Sequence, residues 1–341
     1  MKKIFVILCA ALVIAGCSMN KKTYTINGVL PDNSYDGKWV YMVDYSKEAP
    51  LDSALVTDGK FTFTGQPDIY NYIRLDLDRK LYANVIREAG EIQVDLSNPL
   101  SVVGTPLNDK KTAYSKELRD FYESARESGE NHDTLHARFY SLNEAHFLPN
   151  TDNALGVFVF LSWYYDLSPE KVDSLYAIMG DSIKANPMVV RVIEANEHQK
   201  QTAVGKMFID FTIEHGNLDG SAASFSDYIG KGKYVLVDFW AAWCGPCLAE
   251  TPVIAEVYAK HKGDKFDVLG IAVWDKREKT LEAIKKHHIV WPQIIDAEEI
   301  PTKLYGINGI PQIMLFGPDG TILARDLRDD ALKAKVAEVL K

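Results

Sequence analysis

Tyr234-Val235-Leu236-Val237-Asp238-Phe239-Trp240-Ala241-Ala242-Trp243-Cys244-Gly245-Pro246-Cys247 is the stretch on which the fold turns. Its first seven residues are apolar apart from Asp238, the pattern of a buried strand. Its last four put two thiols three positions apart. A strand running into Cys-x-x-Cys at a helix start is the arrangement that makes a thiol pair redox-active. The alternatives are a zinc half-site or a static disulfide. Zinc needs further ligands and the chain has no second Cys pair, so neither a metal nor any other cofactor is expected.

The chain has 341 residues, four of them cysteine. Cys9 falls in the apolar run from Ile4 to Ala15, which follows Lys2 and Lys3. That run is too short to span a bilayer and has the form of a secretory signal, residues 1–16. It ends Val13-Ile14-Ala15-Gly16-Cys17, which resembles the lipobox of bacterial lipoproteins. The resemblance implies lipidation of Cys17 as the first mature residue, a tether over 17–23, and a lipid anchor in a membrane. The expected localisation is a lipoprotein facing the periplasm of a Gram-negative bacterium. An ordinary signal with a chance cysteine is the plainer alternative. Either way Cys244 and Cys247 are the only thiols beyond residue 17.

With 47% hydrophobic residues the chain can bury sizeable cores, and its length calls for two or three units. A net charge of −9 without a basic stripe argues against nucleic acid as a partner. Short strands are expected at 25–29, 39–43, 60–64, 72–77 and 91–96, with Asp58-Gly59 as a tight hairpin turn. Together they suggest a β-sandwich over 24–105. This stretch resembles an uncharacterised β-domain that precedes thioredoxin domains in bacterial lipoproteins; Val56-Thr57-Asp58-Gly59-Lys60-Phe61 and Gly104-Thr105-Pro106-Leu107-Asn108 carry the likeness. Residues 106–203 turn helical, with Ser168-Pro169-Glu170 as a helix start. They are expected to form a connector domain without chemistry of its own. Strands and helices alternate over 204–341, as in an α/β domain.

Residues 237–247 resemble the active-site stretch of thioredoxin nearly letter for letter. Glu250-Thr251-Pro252 and the long interval before Gly309-Ile310-Pro311, with Trp291-Pro292 inside it, look more like the exported, membrane-anchored TlpA and ResA branch. The resemblance covers about 204–341 and implies a thioredoxin fold. It also implies that Pro311 is cis and that a substrate chain pairs with the backbone of Ile310.

A thiol at a helix start faces unpaired N–H groups and the positive end of the helix dipole, which favour the thiolate. Cys244 is therefore the expected nucleophile and Cys247, one turn further in, the resolving thiol. Asp238 is a carboxyl inside an apolar strand, where it tends to hold its proton; it is the expected proton acceptor for Cys247. The plainer reading pairs it with a lysine or turns it to solvent. In the ResA-like branch a glutamate at the place of Glu250 tunes the cysteines, although the helical position sets it closer to solvent. Trp243 flanks the thiols and, with Gly245, Pro246, Ile310 and Pro311, is expected to contact substrate. Trp240 fits the core better. His132 and His136 share the i, i+4 spacing of metal pairs, but no acidic partner signature accompanies them.

The whole reads as a periplasmic thiol–disulfide oxidoreductase. The Gly-Pro dipeptide is that of thioredoxin, whose potential of about −270 mV is far more reducing than the roughly −120 mV of DsbA. A net reductase of disulfides in exported proteins is expected, with apocytochromes c as one candidate class and a membrane electron donor for re-reduction. The alternatives are an isomerase or oxidase, or a binding lipoprotein with an accessory thioredoxin domain. The last would need an exposed aromatic groove, for which Tyr35, Trp39, Tyr41, Tyr45, Tyr70 and Tyr72 are the candidates.

Overall fold

The structure is a computed structural model that describes residues 23–44, 47 and 49–341. Cys17, with its expected lipid, and Tyr45 lie outside the described residues, as does the side chain of His132.

Eight strands come first: β1 (Tyr24–Val29), β2 (Trp39–Val43), β3 (Asp52–Leu55), β4 (Lys60–Gly65), β5 (Asp68–Leu77), β6 (Leu81–Arg87), β7 (Gly90–Asp95) and β8 (Val102–Val103). They form two four-stranded sheets, ordered β4-β1-β7-β8 and β3-β2-β5-β6. β1 and β7 run parallel; every other pair is antiparallel. Alternate residues of both sheets, among them Ile26, Phe61, Phe63 and Ile92 from one and Val40, Met42, Leu75 and Val85 from the other, share one core. This is the sandwich that the alternating pattern implies. Gly28 lets it close: a Cβ there would sit 1.9 Å from Cζ of Phe61.

The helical middle holds α1 (Pro106–Glu127), α2 (His132–Phe147), α3 (Ala154–Trp163), α4 (Pro169–Ala177), α5 (Asp181–Lys184) and α6 (Pro187–Gln201). The sequence pattern predicts a first helix over 114–128, but α1 begins eight residues earlier, with Pro106 in its first turn. Its buried Asn108 accepts from Ile86 N–H (3.0 Å) and donates to Ile86 O (2.8 Å), so the helix satisfies the backbone of edge strand β6. The helices do not stay together. One compact unit runs up to Leu161 and takes in Gly180–Asn186; the other holds Ser162–Met179 and Pro187–Lys341. α4 and α6 thus belong with the C-terminal sheet.

That unit contains β9 (Thr212–Ile213), β10 (Ala223–Ser224), β11 (Tyr234–Trp240), α7 (Gly245–His261), β12 (Phe266–Ala272), α8 (Arg277–Lys286), β13 (Gln293–Ile294), α9 (Ile300–Leu304), β14 (Gln312–Phe316), β15 (Ile322–Ala324) and α10 (Asp329–Val339). Its main sheet is ordered β13-β12-β11-β14-β15, parallel on one side of β11 and antiparallel on the other. This is the thioredoxin-like mixed sheet that the resemblance implies. β11 is buried on both faces. Leu236 and Trp240 join the core that includes Cys244, Cys247 and Ile254 of α7, while Val235, Val237 and Phe239 join the opposite one. Strand alternation therefore puts Asp238, between Leu236 and Trp240, on the face that carries the thiols.

Candidate active site

Cys244 is the N-cap of α7, and its Sγ accepts from the N–H of Cys247 at 3.1 Å. A sulfur at this position faces the donors that a helix leaves unpaired in its first turn. The two cysteines are joined as a disulfide with Cα atoms 5.3 Å apart. Both are buried in this oxidised form, Cys244 at 3% exposure and Cys247 at 1%. Gly245 and Pro246 between them are exposed, so the dithiol is approached over the first turn of α7.

The loop that delivers Cys244 is held from β12's far end. Ala242 N–H donates to Asp275 Oδ2 (2.7 Å), which also accepts from Thr280 Oγ1 (3.0 Å) at the start of α8. Trp243 is 62% exposed, with Nε1–H donating to the Trp274 carbonyl (2.9 Å). That bond fixes the exposed ring of the residue just before Cys244. Trp240 is core, as expected, and donates from Nε1 to Gln293 Oε1 (3.0 Å). Gly270, paired with Asp238 in the register of β11 and β12, leaves the room that Gln293 fills.

Asp238 is 4% exposed, and its Oδ1 has no hydrogen-bond partner. Burial pushes its carboxyl up to about 7; the Arg328 cation pulls against that rise and the Glu250 carboxylate adds to it. A group half-ionised near neutrality can take and return a proton. Among the described residues no lysine pairs with it, and the cation acting on it is Arg328. The segment after β15 turns back along β14, with Leu327 N–H donating to Ile313 O (3.1 Å), and Ile313 is the register partner of Asp238. Arg328 there donates to the carbonyls of Leu327 (2.6 Å) and Pro311.

Glu250 corrects the expectation of a solvent-side residue. It is 6% exposed, because α10 packs on α7, and its Oε2 accepts from Asp329 N–H at 3.3 Å. The carboxylate thus serves the first turn of α10, where the helix dipole favours a negative charge. The Ile310–Pro311 bond is cis, and Ile310 packs against the core that contains both cysteines. Asp275, Gln293 and Arg328 escaped the sequence reading. Asp275 had a local signal, an acidic residue just ahead of a helix; Arg328 had none.

Other expectations lie elsewhere. Trp39, Tyr41 and Tyr70 are exposed but Tyr72 is buried, so the candidate aromatic groove is incomplete on the sandwich. His136 lies against Tyr140, with ring centres 4.4 Å apart and the planes tilted by 39°. Among the described residues no three His, Cys, Asp or Glu side chains gather as a metal-binding group.

Residues 204–325 match the AhpC/TSA family. The C-terminal domain is thus an AhpC/TSA thioredoxin-like domain. Residues 24–110 match a domain of unknown function, DUF4369. The thiol-disulfide oxidoreductase ResA of Bacillus thuringiensis subsp. konkukian is 26% identical over 143 residues, 42% of this chain and 80% of that protein. ResA of Oceanobacillus iheyensis is 29% identical over 138 residues, 39% of this chain and 71% of the relative. Among solved structures, the thioredoxin domain of a thiol-disulfide oxidoreductase from Bacteroides vulgatus is 33% identical; the match covers 41% of this chain and 99% of that one, with a TM-score of 0.37. The AhpC/TSA domain with its Cys244–Cys247 pair makes this chain a thiol–disulfide oxidoreductase of the ResA-like kind.

Proposed function

We propose that the chain is a membrane-tethered reductase of disulfides in exported proteins, working in the periplasm. The observation that carries this reading is Cys244 as N-cap of α7, with an unpartnered carboxyl, Asp238, on the same face of the sheet. In the reduced enzyme the Cys244 thiolate attacks a substrate disulfide. The Cys244–substrate bond forms, the substrate S–S bond breaks, and the first substrate sulfur leaves as a thiolate that takes a proton from water. Cys247 gives its proton to the Asp238 carboxylate and attacks Sγ of Cys244, releasing the second substrate thiolate. Two electrons have passed to the substrate, and the enzyme is left as the Cys244–Cys247 disulfide. A membrane electron donor restores the dithiol. The Gly245-Pro246 dipeptide supports the reducing direction, and Glu250 is assigned to tuning the thiols from behind α7.

Cys247→Ser should accumulate mixed disulfides through Cys244, whereas Cys244→Ser should trap almost nothing. Mass spectrometry of the trapped proteins would name the substrates, and equal trapping by both variants would overturn the division of roles. The tether is assigned to Cys17 on the lipobox resemblance. Cys17→Ala should shift the protein from the membrane to the soluble fraction; retention on membranes after a salt wash would refute the anchor.

A further inference from the structure

A cavity of about 290 Å³ opens beside the cis-proline, lined by Ile310 and Pro311 but by neither cysteine. It lies at the bottom of the roughly 300–1,000 Å³ range of small-molecule pockets, so it suits one or two side chains better than a cofactor. One wall is the 306–312 loop. The other comes from the helical residues, with Tyr165 exposed at the rim and Asn196 and Gln199 of α6 along the side. That wall is held in place. Asn196 Nδ2 donates to Asp173 Oδ1 (2.8 Å), and Thr202 Oγ1, just past α6, donates to Tyr305 O (3.2 Å) below the loop.

The charge of the lining is unbalanced. Arg325 donates to Thr202 O (2.8 Å), Thr202 Oγ1 (2.7 Å) and Tyr305 O (2.9 Å), and Arg328 to two main-chain carbonyls. Among the described residues neither guanidinium has a carboxylate within ion-pair distance, and Asp326 is the lone carboxylate in the wall. Within the lining two fixed cations meet one exposed anion, and although Arg328 also acts on the buried Asp238 carboxyl, the lining itself favours a negative guest.

We propose that this cavity is a subsite for an acidic side chain of the substrate polypeptide, so that residues 164–172 and 192–199 help choose which disulfide Cys244 attacks. The inference rests on the reductase reading. A chain whose disulfide lies over Cys244 and which runs along Ile310 enters the cavity within a residue or two, since Ile310 touches both the thiol core and the cavity wall.

The test uses the full chain in its reduced form and matched oxidised peptides carrying Glu, Gln or Lys, in turn, at each of the two positions flanking the reactive cysteine. The readout is the ratio of kcat/KM for the Glu peptide over the Lys peptide, in which any general loss of activity cancels. At one flanking position the ratio should be about five- to tenfold at low salt and shrink toward one at about 0.5 M salt. Gln199→Glu should lower it and Gln199→Lys should raise it. A ratio near one at both positions, or a ratio that neither Gln199 variant moves, overturns the subsite. Failure to reduce any of the peptides overturns the reductase reading instead.

Discussion

In the proposed reaction a single carboxyl, Asp238, takes the proton of Cys247, and a single guanidinium, Arg328, opposes the effect of burial on that carboxyl. Asp238 was legible as a polar residue in an otherwise apolar strand, and burial without a partner is what the strand pattern implies. Arg328 was not legible. It lies 90 positions away, in no motif, and reaches the site because the chain reverses after β15 and pairs with β14. Removing its charge should raise the proton affinity of Asp238, since Arg328 is what opposes the effect of burial. Arg328→Gln should therefore slow release of the mixed disulfide at pH 7, where less of Asp238 is carboxylate, and move the pH profile upward by roughly one unit. Arg328→Lys should return most of the way to the native profile. Single-turnover reduction of a model disulfide across pH reads the shift. If the Gln variant keeps the native profile, the cation is structural and does not tune Asp238.

Among the elements, legibility followed the turn chemistry. Asp58 and Gly59 both take positive φ, and the Asp-Gly pair announces the hairpin into β4. Asp78 and Arg79 do the same between β5 and β6, with φ of 56° and 58°. Neither is glycine, so nothing in the sequence separates β5 from its partner, and β6 went unforeseen. The short edge strand β3 was missed because four residues give too little alternation to count. The start of α1 was hidden differently. Thr105 makes no side-chain cap bond, so the strongest helix-start cue is missing, while Pro106 also fits a strand exit. At the site the elements were clearer. The strand, the thiols and Pro246 fix where β11 ends and where α7 begins, because those residue types allow few other local structures. The surroundings of Glu250 were not readable, since a residue three positions past Cys247 has solvent or a neighbour beside it according to where α10 lands.

The division of the whole molecule was the least legible feature. The helical composition of 106–203 is uniform, and which sheet each helix joins depends on contacts far away in sequence, such as Thr202 with Tyr305 and Arg325. The two units also differ in how one buried ionisable group ties each to pH. In the C-terminal unit Asp238 titrates at about 7 when folded, against about 3.9 unfolded. The folded state then holds the extra proton, so this group's contribution to stability is greatest below about pH 4 and falls until about pH 7, by on the order of 4 kcal/mol at most. In the N-terminal unit Lys111 of α1 is almost fully buried, its ammonium 5.4 Å from the Phe158 ring centre, and burial lowers it to about 8. Here the unfolded state holds the extra proton between about pH 8 and 10.4, so this group's contribution to stability rises across that window by on the order of 3 kcal/mol. The two units should accordingly melt separately, with opposite pH slopes in separate ranges. Five of the six tryptophans lie in the C-terminal unit, so their fluorescence follows mainly that unit while circular dichroism follows both. Asp238→Asn should flatten the slope between pH 4 and 7 in fluorescence melts. Lys111→Met should flatten the alkaline slope and raise the midpoint of the other transition at pH 7. One cooperative transition with a common pH dependence in both signals, unmoved by either replacement, would show that neither buried group controls stability in this way.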